Sequence, residues 1–127
     1  MPTTALIADD EPHLARHLAE QLGRLWPELQ IVAMARNGVE AAQQIEALQP
    51  DFAFLDIRMP GMTGLELLEI ITQKYPHIHV SMISAYGEGD NHRRAMASGA
   101  KEFFTKPIDF GRLKQEVHAQ IGQQKQG

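Results

Sequence analysis

Five short apolar segments alternate with stretches of helical periodicity along the chain, and this alternation restricts the fold more than any other feature. The segments have the length and composition of β-strands, and they start near positions 4, 31, 52, 79 and 102. Leucines spaced for one face of a helix follow the first segment: Leu14, Leu18, Leu22 and Leu25. Strand–helix alternation repeated five times predicts a doubly wound α/β fold, in which five helices cover both faces of a five-stranded parallel sheet.

The ends of the elements are marked by residues with known positional preferences. Proline closes three of the helical stretches, at positions 27, 50 and 76. Asp90 is predicted to cap a short fourth helix that runs to Ala97, and Asp109 is predicted to cap the fifth helix. The third segment, Phe52 to Leu55, is continuously apolar, which is typical of a strand that is covered on both faces.

The length of 127 residues is that of a single domain. We predict that the domain spans residues 1–122 and that the polar residues 123–127 form a tail or the start of a linker. Lysine and arginine number 12, aspartate and glutamate number 16, and the formal net charge is -4. Because nucleic-acid binding needs a positive surface, we expect no direct contact between this chain and nucleic acid.

The absence of cysteine and of long apolar segments limits the compartment. Without cysteine, disulfide bonds, thiolate catalysis and cysteine-based zinc sites are excluded, and the composition fits a reducing compartment. No apolar segment approaches the roughly 20 residues needed to span a bilayer. Asp9 and Asp10 interrupt the N-terminal apolar segment too early for a signal peptide. We therefore expect a soluble cytoplasmic protein that has no membrane partner.

Charged and hydroxyl side chains stand at the ends of four of the five predicted strands. The first strand is followed by Asp9 and Asp10, the third by Asp56, the fourth by Ser84 and the fifth by Lys106. Ligand sites of open parallel sheets lie beyond the carboxyl ends of the strands. We therefore expect these side chains to meet at one edge of the sheet.

Carboxylates gathered at one edge repel one another, and a hard divalent cation would relieve that repulsion. Mg²⁺ prefers oxygen ligands and keeps several waters, so it could also bind a phosphoryl oxygen. Lys106 could neutralise a second phosphoryl oxygen, and the hydroxyl of Ser84 could donate a hydrogen bond to a third. Asp56, the central acid, could then attack phosphorus and become an aspartyl phosphate.

Four motifs follow one another in a characteristic order and spacing: residues 8–11 (ADDE), 55–64 (LDIRMPGMTG), 83–85 (ISA) and 103–107 (FFTKP). Together they resemble the receiver domains of two-component response regulators, the CheY-like family. The resemblance extends over essentially the whole chain, and it is specific because four separate motifs agree. It implies a flavodoxin-like sheet with the strand order 2-1-3-4-5.

The resemblance also implies a metal site and its ligands. Asp56 would be the phosphoacceptor, and it would bind Mg²⁺ directly together with Asp10. Asp9 would act through a water molecule, and the backbone carbonyl of Arg58 would complete the protein ligands.

The same resemblance implies a phosphate-binding group and a conformational switch. Lys106 would bind the phosphate, Ser84 would be the switch hydroxyl, and the Lys106–Pro107 bond would be cis. Phe103 falls at the family's aromatic switch position, where relatives often carry tyrosine. Phenylalanine lacks the hydroxyl, so an output that needs its hydrogen bond is in question, whereas rotation of the ring as a packing switch stays open.

A phosphorylation-controlled signalling function follows from these roles. The chain would take a phosphoryl group from a sensor histidine kinase or a histidine phosphotransfer protein, and it would act on no separate substrate, so it would not be an enzyme. Phosphorylation would reshape the face of helix 4, strand 5 and helix 5, through which the chain could dimerise or bind an output partner. That face would include Arg93, Met96, Lys101, Phe103 and Arg112.

Three other functions are weighed against this one. A pseudo-receiver would bind partners without phosphorylation, but it would be expected to lack an acid or the lysine. A phosphohydrolase that uses an aspartyl phosphate typically carries a second aspartate two residues after the nucleophile, where this chain has Arg58. A flavin-binding protein would need an anion-binding loop after the first strand, where Asp9 and Asp10 would repel the phosphate.

Overall fold

The sheet of the computed structural model contains five parallel strands in the order β2-β1-β3-β4-β5, which confirms the predicted doubly wound fold. The structure describes residues 2–85 and 89–126. The strands are β1 (Thr4–Ala8), β2 (Gln30–Ala35), β3 (Phe52–Asp56), β4 (His79–Ser84) and β5 (Glu102–Thr105). The helices are α1 (Pro12–Leu25), α2 (Gly38–Leu48), α3 (Gly64–Lys74), α4 (Gly89–Ala97) and α5 (Phe110–Gln126).

Two hydrophobic cores lie on the two faces of the sheet. Helices α2, α3 and α4 cover one face, and α1 and α5 cover the other. Strand β3 is central, and all five of its residues are buried, as its continuous apolar sequence predicted. Alternate residues of β5 serve different cores, because Phe103 faces α4 and Phe104 faces α5.

The helix ends explain where the chain turns back toward the sheet. Asp109 caps α5 as predicted, since its Oδ1 accepts hydrogen bonds from the backbone N–H groups of Gly111 (2.8 Å) and Arg112 (3.2 Å). The prediction for Asp90 was wrong. Helix α4 already begins at Gly89, so Asp90 lies in its first turn and pairs with Arg93 three residues later.

Helix α5 continues through residues 123–126, where a polar tail or linker was expected. Glutamine and lysine are good helix formers, so a run of these residues does not by itself end a helix. The domain boundary at residue 122 stays a prediction, and residue 127 lies outside the described residues. None of the helices in the described ranges combines the length and the apolar character that crossing a membrane requires.

The register of the strands brings their carboxyl ends to one edge of the sheet. Ala8 pairs with Leu55, and Ser84 pairs with Thr105. Beyond the strand ends, backbone hydrogen bonds continue from the N–H of Asp9 to the carbonyl of Ala35 (3.0 Å). The residues that follow β1, β3 and β5 therefore leave the sheet close to one another at this edge.

Candidate functional site

Three carboxylates meet at the edge of the sheet where β1 and β3 end. Asp9 and Asp56 are each 5% exposed, whereas Asp10 is exposed to solvent. One oxygen of each carboxylate lies within 4.8 Å of the other two, and no second cluster of this kind occurs among the described residues. The sequence predicted this cluster from the strand ends alone.

Lys106 reaches into the cluster from the end of β5 and contacts two of its carboxylates. Its Nζ lies 2.9 Å from Oδ2 of Asp9 and 3.2 Å from Oδ2 of Asp56. The backbone N–H of Lys106 donates to the carbonyl oxygen of Ser84 (2.7 Å), and the following bond to Pro107 is cis, as the resemblance implied. The backbone of the lysine is thus held against the end of β4, and its side chain extends to the two carboxylates.

Backbone N–H groups hold the two buried carboxylates from the other side. Oδ1 of Asp9 accepts a hydrogen bond from the N–H of Glu11 (2.9 Å), at the turn into α1. Oδ1 of Asp56 accepts a longer one from the N–H of Arg58 (3.4 Å). Each carboxylate therefore has one oxygen turned to the backbone and the other turned to Lys106.

The charged groups at this edge shift one another's pKa values. Burial raises the pKa of Asp56, the charge of Lys106 opposes that rise and the charge of Asp9 adds to it, so that the pKa is about 6. For Lys106, burial lowers the pKa. The hydrogen bond to Asp9 and the negative charges of Asp56 and Asp9 outweigh that effect, and the pKa of Lys106 is raised above its usual value. The single positive charge of Lys106 therefore compensates two buried carboxylates only in part.

This imbalance predicts that Asp56→Asn stabilises the metal-free protein at neutral pH. The pKa of Asp56 is raised from 3.8 to about 6, so folding favours the protonated carboxyl. The resulting stabilisation of the folded state is complete below the ordinary pKa and is lost as pH rises through about 6. We expect a gain in unfolding free energy on the order of 2 kcal/mol at neutral pH. The gain should vanish under acidic conditions.

Urea denaturation in the presence of a chelator, at neutral and at acidic pH, measures this difference. Asp51→Asn is the matched control, because the carboxylate of Asp51 lies at the opposite end of β3 and accepts a hydrogen bond from the N–H of Thr4 (2.9 Å). A variant at Asp56 that is no more stable than the wild type at neutral pH would contradict the assigned electrostatics.

The two predicted switch residues are not members of the carboxylate cluster. Ser84 ends β4 and is 2% exposed. Phe103 is 4% exposed, so within the face formed by α4, β5 and α5 it lies below the surface. It lies beneath the ring of His92 from α4, with the ring centroids 4.8 Å apart and the planes 15° apart. No pattern in the sequence predicts this stacking, because it depends on where α4 crosses β5.

Two glycines shape the backbone around the site and were missed as functional positions. A Cβ atom on Gly64 would lie 2.2 Å from the carbonyl oxygen of Asp56. A Cβ atom on Gly38 would lie 2.0 Å from the carbonyl oxygen of Met62. The first turns of α3 and α2 therefore approach the segment after β3 more closely than any side chain allows. Their positions in the sequence, directly after Asn37 and at the end of the segment that follows Asp56, could have pointed to them, but glycine at either position also suits an ordinary turn.

The sequence is similar to those of known signalling proteins. The family model described as the response regulator receiver domain matches residues 5–118. An uncharacterized response regulatory protein of Vibrio cholerae is 46% identical over 110 residues, which cover 87% of this chain. The matched part is 41% of that relative, so the chain spans less than half of its length.

Two solved structures share the fold over most of their length. The REC domain of AraT, a response regulator from Geobacillus stearothermophilus, has a TM-score of 0.87 and 29% identity, with 100% of both chains covered. A chain in the CheX–CheY–BeF₃–Mg²⁺ complex from Borrelia burgdorferi has a TM-score of 0.86 and 29% identity, with 95% of this chain and 90% of that chain covered. The chain described here therefore belongs to the response regulator receiver domain family of two-component signalling systems.

Proposed function

We propose that this receiver domain accepts a phosphoryl group on Asp56 from a sensor histidine kinase or a histidine phosphotransfer protein, with Mg²⁺ as the cofactor. The observation that carries the proposal is the contact of one half-buried lysine with two buried carboxylates beside a third, exposed acid. Family membership supports the same assignment. The proposal includes a cytoplasmic location and no separate substrate, so the chain would be a signalling domain and not an enzyme.

The donor set fits a hard divalent cation. Three carboxylates within 4.8 Å offer only oxygen ligands, and Lys106 alone leaves them with net negative charge. Asp10 and Asp56 would bind Mg²⁺ directly, Asp9 through water, and the backbone carbonyl of Arg58 would be a further ligand. When bound, the ion supplies positive charge against the phosphoryl oxygens. The similar chain from Borrelia burgdorferi occurs in a complex that contains Mg²⁺ and BeF₃, which supports this cofactor.

The residues of the chain provide the nucleophile and its surroundings. A carboxylate oxygen of Asp56 would form a bond to phosphorus as the bond between phosphorus and the donor imidazole nitrogen breaks. The ammonium group of Lys106, which already contacts Oδ2 of Asp56, would neutralise a phosphoryl oxygen. The hydroxyl of Ser84 would donate to another oxygen, which would couple phosphorylation to the end of β4.

The exposed side of α4, β5 and α5 is the proposed output surface. Arg93, Met96, Lys101 and Arg112 are exposed there, whereas Phe103 lies beneath it. Phosphorylation would shift an existing equilibrium between two conformations of this surface. The domain would dimerise or bind an output partner through the surface. The kinase or phosphotransfer protein would dock beside α1, close to Asp56.

The alternatives are less well supported. A pseudo-receiver would gain support from a missing acid or lysine, but all four charged groups are present and in contact or within 4.8 Å. An aspartyl-phosphate phosphohydrolase would place a second carboxylate where Arg58 stands. The pseudo-receiver therefore remains the alternative to be tested, as a binding module that does not require phosphorylation.

The intact mass of the protein after incubation with acetyl phosphate tests the proposal. We expect a gain of one phosphoryl group that requires both Mg²⁺ and Asp56, and that Asp56→Asn abolishes. Asp51→Asn, at the opposite end of β3, should be phosphorylated like the wild type. If neither acetyl phosphate nor a phosphohistidine donor produced the gain in the wild type, the proposal would fail and the pseudo-receiver would replace it.

A further inference from the structure

Two glutamates line one cavity near the amino-terminal end of β5, whereas the aspartate cluster lies at the carboxyl ends of the strands. Glu102 is the first residue of β5, and Glu116 lies on α5, which covers that face of the sheet. Both are half-buried, and both line a cavity of about 20 Å³, which has room for one water molecule. The other polar side chains that line this cavity are His79, Ser81 and Gln120.

The two glutamates line the same small cavity, so a proton on one carboxyl group could form a hydrogen bond to the other. A hydrogen bond between two carboxyl groups needs a proton on one of them, because an ionised carboxylate can only accept. Burial, the hydrogen bond to Glu116 and the charge of Glu116 together raise the pKa of Glu102 to about 7, although Arg112 opposes the rise. A rise in pH through about 7 would therefore convert a pair that shares one proton into two repelling charges.

The charged groups around the pair come from a small number of elements. Helix α5 contributes Arg112, whose guanidinium lies 4.7 Å from the ring centroid of Phe104. Strand β4 contributes His79, whose pKa is lowered by burial and by the nearby charge of Lys101, with Glu116 acting in the opposite direction. The walls that α1 and β3 contribute to this cavity are apolar.

Helix α4 does not bring a charge to this pair. It packs on the opposite face of the sheet, where Ala95 and Phe103 belong to the other core. Glu102 and Phe104 share the face that α5 covers, because side chains alternate along a strand. Arg112 is therefore the cation that can respond when Glu102 ionises, and it is also part of the proposed output surface.

We propose that Glu102 and Glu116 form a pH-sensitive contact that fastens α5 to β5 while the two carboxyls share a proton and loosens this packing when both are ionised. Ionisation would also draw Arg112 from the ring of Phe104 toward the two carboxylates. The contact involves no residue of the aspartate cluster, so the inference does not depend on phosphorylation of Asp56.

The dependence of the melting temperature on pH, compared between variants, tests this proposal. In Glu102→Gln the amide can donate to Glu116 at every pH and carries no charge. We expect its melting temperature to exceed that of the wild type by several degrees above neutral pH and to differ little from it in mild acid. Asp56 also titrates near pH 6, so the difference between the two curves, and not the wild-type curve, carries the information.

Glu46→Gln is the control, because Glu46 is exposed on α2 and should leave the curve of the wild type unchanged in shape. In parallel, the side-chain carboxyl carbon of Glu102 is followed by NMR in the wild-type protein, which needs no substitution. A midpoint near 7 supports the shared proton. A midpoint at the ordinary value of a glutamate, or parallel melting curves for the wild type and Glu102→Gln, overturns the proposal.

Discussion

Lys106→Met should destabilise the metal-free domain by about 3 kcal/mol and slow phosphoryl transfer to Asp56 by about 100-fold. The Nζ atom of Lys106 lies 2.9 Å from Asp9 and 3.2 Å from Asp56, and its side chain is only 15% exposed. Methionine keeps the apolar length of the side chain but removes the charge. Two buried carboxylates then repel each other without a compensating cation, which is more costly than losing a surface ion pair.

The two effects of this substitution are separable by measurement. Urea denaturation in chelator gives the loss of stability, and Mg²⁺ should restore much of it because a divalent cation replaces the missing charge. The rate of phosphorylation by acetyl phosphate, at saturating Mg²⁺, measures how far the loss of the ammonium group slows phosphoryl transfer. Lys101→Met, which removes an exposed lysine just before β5, is the matched control. Equal behaviour of the two variants would mean that Lys106 does not hold the site together.

Gly64→Ala should be as damaging as the loss of the lysine, for a steric reason. The added methyl group would lie 2.2 Å from the carbonyl oxygen of Asp56 and 2.9 Å from the Cα of Ile57, and both are backbone atoms of the segment that carries the proposed phosphoacceptor. Backbone at the end of a buried central strand cannot move aside cheaply, so we expect a loss of about 3 kcal/mol in unfolding free energy. Displacement of Asp56 should also reduce phosphorylation.

Gly23→Ala provides a control with the opposite sign. Gly23 lies inside α1, and no heavy atom lies within 4 Å of a Cβ built there. Alanine should therefore stabilise the protein by roughly 1 kcal/mol through its higher helix propensity. Unfolding free energies from urea denaturation of both variants test the pair. A stable, normally phosphorylated Gly64→Ala would show that the first turn of α3 can withdraw from β3.

The elements of the fold could be predicted because burial leaves a strong trace in the sequence. Strand β3 was identified from four consecutive apolar residues, and all of its residues are buried on the two faces of the sheet. The start of α4 was misplaced because an aspartate suits both a cap and a first turn, and the sequence does not distinguish the two positions. The strand order came from the resemblance to receivers, since local periodicity carries no information about which strands pair.

The membership of the site was predictable, but its contacts were not. Parallel strands place their carboxyl ends together, which was enough to gather Asp9, Asp10, Asp56 and Lys106. That Lys106 divides its ammonium group between Asp9 and Asp56 depends on distances of a few tenths of an ångström, which no pattern encodes. The cavity that Glu102 and Glu116 both line lies between a strand and a helix, and no periodic pattern in the sequence predicts it.

Locating the phosphoryl group within the sequence tests directly whether Asp56 is the phosphoacceptor. Borohydride reduces an acyl phosphate of aspartate to homoserine, which marks the modified position permanently. The protein is treated with acetyl phosphate and Mg²⁺, reduced, digested and sequenced by mass spectrometry, beside a sample that received no phosphodonor. We expect homoserine at position 56 in the treated sample alone. Homoserine at another aspartate, or at none after treatment with a phosphohistidine donor as well, would contradict it.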